Sequence, residues 1–102
     1  MERIYSIDEL RGLLYPVFAS YPVRKATLFG SYARRDADSG SDLDIVIDSG
    51  GNLRGFNFFG LLGDIVETLD KRVDLLDERG IHNDSPVRFA LQKEGIALYE
   101  KS

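Results

Sequence analysis

The chain has 102 residues, a formal net charge of −4, 43% hydrophobic and 29% charged residues, and no cysteine. Length and composition predict one small domain over residues 1–102 with a modest core, and no apolar run approaches the roughly 20 residues needed to span a bilayer. The lack of cysteine excludes disulfides and zinc–thiolate sites, and the acidic balance disfavours direct nucleic-acid binding.

The opening Met1-Glu2-Arg3-Ile4-Tyr5 has neither a basic region nor an apolar stretch of the signal-peptide kind, so a cytoplasmic location is expected. Ser6-Ile7-Asp8-Glu9 has the form of a capping box and opens a helix. Ile7, Leu10, Leu14 and Phe18 then recur at helical spacing, with Leu13 and Val17 beside them. Pro16 is expected to kink or end this helix, and Tyr21-Pro22 marks the loop that follows. Val23 to Phe29 reads as a first strand, followed by a Gly30-Ser31 turn, a short helix from Tyr32 to Arg35 and a polar loop from Asp36 to Ser41. Leu43 to Ile47 is a second strand, whose near-continuous apolar run predicts a central position. Asn52 to Asp70 reads as a helix with Phe58, Leu62, Ile65, Val66 and Leu69 turned to the core and Asp64, Glu67 and Asp70 outside. Arg72 to Leu76 is a third strand. Ser85-Pro86 starts a helix that runs to about Glu94 and closes at Gly95, and Ile96 to Tyr99 is a last short strand. The predicted fold class is α/β of the α+β type: a small mixed sheet of about four strands flanked by helices.

The chemistry concentrates between Leu28 and Asp48. On a strand, side chains alternate, so Asp42 and Asp44 point one way while Leu43, Ile45 and Ile47 point into a core. Two carboxylates on one face repel, and hard oxygen donors of this kind suit Mg²⁺ shared with substrate phosphates. Upstream, Gly30 permits close approach to the backbone, and Ser31 offers a hydroxyl and an N–H at a helix start that suits phosphate. Asp74 stands in a later apolar strand, facing opposite to Val73 and Leu75, where neighbouring strands can bring it beside the first pair. Such a triad can hold divalent ions and take a proton from an attacking hydroxyl, a task expected of Asp74. The plain alternative makes Asp42 a turn residue and ties Asp74 to a loop. His82 reads as a loop residue, Tyr32 as packing at the sheet end, Asp48 as a strand-end residue, and Asp36 and Asp38 as solvated loop charges.

Gly30-Ser31, ten residues, then Asp42-Leu43-Asp44 resembles the signature of the polymerase-β-like nucleotidyltransferase superfamily. Gly-Ser-Tyr-Ala-Arg, Ser-Asp-Leu-Asp-Ile-Val, Val73-Asp74-Leu75-Leu76 and the ending Gly95-Ile96-Ala97-Leu98-Tyr99 resemble the minimal nucleotidyltransferases (MNT), over nearly the whole chain. The resemblance implies a minimal nucleotidyltransferase fold and transfer of a nucleotidyl group from a nucleoside triphosphate, with Mg²⁺, to a hydroxyl. It implies Gly30 and Ser31, with Arg34, as nucleotide-binding residues, and Asp42, Asp44 and Asp74 as metal ligands and catalytic carboxylates. Arg35 departs from the pattern, since many relatives have glycine there; a solvated loop face is the plain alternative for both arginines. Larger relatives add a helical domain, so a second protein or a second copy is expected to complete the site. By the same resemblance the partner is a helical HEPN toxin, the substrate ATP, the acceptor a tyrosine of that toxin, and the chain its antitoxin. Two other classes remain open: a binding antitoxin that acts by complex formation alone, and a transferase acting on a small molecule.

Overall fold

The computed structural model describes residues 4–101. In chain order the elements are helix α1 (Ile7–Ala19), strand β1 (Lys25–Phe29), helix α2 (Ser31–Arg34), strand β2 (Leu43–Asp48), helix α3 (Phe56–Leu69), strand β3 (Val73–Asp77), a single 3₁₀ turn (Glu78–Gly80), helix α4 (Pro86–Glu94) and strand β4 (Ile96–Glu100). The four strands form one mixed sheet in the order β3-β2-β1-β4. β2 and β3 run parallel, with α3 as their crossover, while β1 is antiparallel to both β2 and β4. The predicted class and the central position of the second strand match this architecture.

The capping box forms as the sequence suggests. The Ser6 hydroxyl accepts from the Glu9 N–H at 3.0 Å, and the Ser6 N–H donates to the Glu9 carboxylate at 2.9 Å. Pro16 does not end α1, which continues to Ala19. Leu14 and Phe18, both fully buried, hold the helix against the core on either side of Pro16. Burying an aromatic and a leucine side chain stabilises by several kcal/mol, enough to outweigh the ~3 kcal/mol helix cost of an internal proline.

α3 begins at Phe56, later than the expected Asn52. Gly55 precedes it at φ +56, a conformation that interrupts the helix, while Leu53 is buried and anchors the preceding loop. The buried line of α3 is Leu61, Ile65 and Leu69. Of the residues expected to face the core, Leu62 and Phe58 are partly buried and Val66 is exposed. Four of the five expected residues thus pack on the core, and the fully buried Leu61 takes the place expected of Val66.

One face of the sheet carries the core. Leu43, Ile45 and Ile47 of β2, Ala26 and Leu28 of β1 and Leu75 of β3 pack there with Leu10, Leu14 and Phe18 of α1. The other face carries Asp44, Val46 and Asp74, and α4 lies across part of it over β1. None of the described helices is long and apolar enough to cross a membrane.

Candidate active site

β1 ends at Phe29 and the chain turns at Gly30, whose φ of +77 and ψ of −155 belong to glycine almost alone. α2 starts at Ser31, one residue earlier than predicted, and the Gly30 carbonyl accepts the Arg34 N–H at 3.0 Å. A Cβ on Gly30 would collide with the Asp44 carboxylate. The glycine is therefore required first by a neighbouring side chain of the protein.

α2 closes at Arg35, which takes a left-handed conformation at φ +64 and ψ +31. That geometry explains why glycine suits this position and why Arg35 marks a departure. The loop that follows is tied down from three sides. Asp38 accepts the Gly40 N–H at 2.9 Å, and its own N–H donates to the Ser41 hydroxyl at 2.9 Å. The buried Lys71 donates to the Ser39 carbonyl at 3.2 Å while its ammonium lies 5.6 Å from the centre of the buried Tyr32 ring. Tyr32 thus packs, as expected, and Asp38 is a loop-forming residue, not a freely solvated charge.

The loop delivers Asp42 and Asp44 to the start of β2. The parallel register places Asp44 directly opposite Asp74 on β3. Burial, then the Asp74 charge beside it, then that of Asp42, push the Asp44 carboxyl from 3.8 up to about 6; Arg34 opposes the shift. Asp44 also lies within hydrogen-bonding reach of Asp74. Asp42 is turned to Arg72, with Nε 3.1 Å from its carboxylate. Among the described residues, no three side chains of the His, Cys, Asp or Glu kind already stand as a closed metal-holding group. The sheet brings the three predicted carboxylates to one edge, where Asp42 is paired with Arg72.

Gly30, Ser31, Arg34 and Asp44 line a cleft of about 380 Å³, closed on its far side by Pro86, Val87, Ala90 and Glu94 of α4. The Arg34 guanidinium spans it, donating to Glu94 at 3.1 Å and to Asp36 at 3.3 Å. Asp48 ends β2 as expected, accepting the Gly50 N–H at 3.0 Å and pairing with Arg24 at 3.2 Å. The Gly50 bond first, and Arg24 with it, hold its carboxyl below the usual carboxylate range. His82 is an exposed loop residue whose carbonyl accepts the Ser85 hydroxyl at 2.9 Å.

Two residues at the site went unread in the sequence. Arg72 sits two residues before Asp74, a spacing that puts both on one side of a strand and was a usable signal. Glu94 had none, because only the packing of α4 across the sheet carries it to Arg34.

The family described as polymerase beta nucleotidyltransferase matches residues 14–102. The chain belongs to that family. This nucleotidyltransferase is 32% identical, over 76% of its length and 83% of the relative's, to a Methanocaldococcus jannaschii protein provisionally named a protein adenylyltransferase. Its fold is similar to a chain in a toxin–antitoxin crystal structure with AMP-PNP, at a TM-score of 0.76 and 21% identity, covering 90% of this chain and 74% of that one. It is also similar to a chain in a complex of a tri-AMPylated Shewanella oneidensis HEPN toxin with its MNT antitoxin, at a TM-score of 0.70 and 20% identity, covering 93% and 73%. These likenesses establish the minimal nucleotidyltransferase fold.

Proposed function

We propose that this nucleotidyltransferase moves AMP from ATP to a protein hydroxyl, a tyrosine of a HEPN-type partner, and acts as that partner's antitoxin in the cytoplasm. The observation that carries the reading is the register pairing of Asp44 with Asp74, with Asp42 two residues away and the Gly30-Ser31 turn at the mouth of the same cleft. The names of the similar proteins, a protein adenylyltransferase and an MNT antitoxin bound to an AMPylated HEPN toxin, support the partner and the reaction class.

The donor set suits Mg²⁺. Asp44 and Asp74 are hard oxygen donors side by side, and burial first, then their repulsion, raises Asp44 well above its usual range. A dication relieves that repulsion. Asp42, Asp44 and Asp74 would hold the ion, which when bound neutralises the charge that builds on the phosphate oxygens. Asp42 must first leave Arg72, an exposed pair of the kind worth about 0–1 kcal/mol, so this costs little. Gly30 and Ser31 would hold phosphate at the turn, and Arg34 would contact it after giving up Glu94. Asp74, the most exposed of the three carboxylates, would accept the proton of the incoming hydroxyl.

The test is intact-mass spectrometry of a HEPN-type partner protein after incubation with the chain, ATP and Mg²⁺. Mass gains in whole AMP units, absent with Asp42→Asn/Asp44→Asn, are expected. Transfer that persists in the double variant defeats the assignment of the carboxylates. A stable complex without any mass gain replaces the reading with inhibition by binding alone.

A further inference from the structure

The carboxylate row is bordered by two depressions that share no lining residue. Asp44 lines the one under α4, with Gly30, Ser31 and Arg34. Asp42 and Asp74 line the other, about 350 Å³, whose remaining walls are Leu62 and Val66 of α3, Arg72 and Val73. The first offers a turn and an arginine, which suit phosphate. The second has three apolar and two acidic residues and a single, already paired cation, which does not.

The apolar wall of the second depression continues outward along α3. Phe59, Leu62 and Val66 follow one another at three and four residues, so they form one stripe on the helix surface. Phe59 is 66% exposed and Val66 37%, and Phe56, a turn earlier, is 94% exposed. The stripe runs beside the buried line of Leu61, Ile65 and Leu69: Leu62 is partly buried against the core, while Phe59 and Val66 stay exposed. It ends at the carboxylates, which ties its occupant to the reaction there.

We infer that the depression on the α3 side is the acceptor subsite, and that it takes a polypeptide segment whose tyrosine is flanked by apolar side chains. The inference rests on the nucleotidyl transfer proposed above. In an in-line displacement the attacking oxygen and the departing pyrophosphate stand on opposite sides of the α-phosphorus. With the triphosphate under α4, the acceptor arrives from α3. The phenol oxygen bonds to the α-phosphorus, the bond from that phosphorus to the bridging oxygen breaks, and pyrophosphate leaves with the electron pair. The phenol proton passes to Asp74. The apolar flanks of the segment lie on Leu62, Val66 and Phe59.

The experiment is a backbone amide NMR titration of the full chain. AMP-PNP with Mg²⁺ is added first, then a short blocked peptide with leucine on either side of a tyrosine, to millimolar concentration. The nucleotide is expected to shift Ser31, Arg34 and Ala90, and the peptide to shift Leu62, Val66 and Val73. Val66→Lys should weaken the peptide by about tenfold or more while moving nucleotide affinity by less than about twofold. Peptide shifts that fall along α4, or no shifts at all, overturn the inference. So does a Val66→Lys effect on self-association in place of peptide binding, since the stripe then joins two copies. Peptide shifts at α3 with none from the nucleotide leave this subsite standing and remove the proposed nucleotide site instead.

Discussion

Asp44 and Asp74 face each other across the parallel β2–β3 pair, and the carboxyl of Asp44 is raised from 3.8 to about 6 by its burial and by that neighbour. In the unfolded chain Asp44 ionises near 3.8; in the fold it holds its proton to about 6. The ionised form is thus disfavoured by folding, so the cost to stability grows as pH rises from the lower value to the higher and is complete above it. Asp44→Asn should therefore raise the thermal midpoint at pH 8 in EDTA. After allowance for the solvent screening of a half-buried group, the gain is about 1 kcal/mol, or several degrees for a chain of this size. The gain should vanish at pH 4. Mg²⁺ should raise the midpoint of the wild type more than that of the variant. A variant less stable than the wild type at pH 8 would show that the pair is not strained.

Gly30 carries two independent demands, a backbone conformation open to glycine and room for the Asp44 carboxylate. Gly30→Ala is expected to cost about 2–3 kcal/mol in urea unfolding from the backbone alone, and more from the collision. A double-mutant cycle with Asp44→Ala separates the two. Truncating Asp44 removes the collision and leaves the backbone cost, so a coupling of about 0.5–3 kcal/mol is expected. Strict additivity would mean that the carboxylate moves aside freely.

Much of this was legible in the chain. Asp42, Asp44 and Leu43-Ile45-Ile47 sort onto opposite faces by the two-residue period of a strand, and Ser6-Ile7-Asp8-Glu9 spells out its own cap. What escaped depends on long-range geometry. Glu94 meets Arg34 across 60 residues, and the sequence says nothing of how α4 lies on the sheet. On α3, Leu61, Leu62, Ile65, Val66 and Leu69 cover more than one helix side, so periodicity alone does not show that Leu61 is buried and Val66 exposed. Local rules make Pro16 a helix breaker, and the burial of Leu14 and Phe18 overrides them.

Arg35 holds a left-handed conformation at φ +64, where a side chain crowds the backbone. Arg35→Gly should stabilise the chain by about 0.5–1 kcal/mol, the relief of crowding being partly offset by the greater freedom of glycine when unfolded. Arg35→Val should destabilise it, because branching at Cβ makes the same conformation harder to hold. The denaturant midpoints of the three proteins rank them directly. A glycine variant no more stable than the valine variant would mean that the Arg35 side chain supplies contacts worth more than the strain.

Arg34 reaches into the cleft but is held there by Glu94, whose side chain is 18% exposed, and by Asp36. The carboxylates hold the guanidinium charge more firmly, since both favour its protonated form, Asp36 first. A triphosphate entering this cleft must compete with Glu94 for Arg34 and must also approach Glu94's own negative charge. Glu94→Gln keeps the size and the hydrogen-bonding capacity of the side chain and removes the charge. It should tighten AMP-PNP binding by roughly two- to fivefold at low salt, the modest effect of releasing one partly exposed ion pair. The advantage should shrink as salt screens the pair. Arg34→Met should weaken binding, and Glu94→Gln should then gain less when added to it, because only the repulsion from Glu94 itself is left to relieve. Titration calorimetry of the four proteins with AMP-PNP and Mg²⁺ reads out the cycle. An equal benefit from Glu94→Gln with and without Arg34 would place the effect in general charge repulsion and take Arg34 out of the nucleotide site.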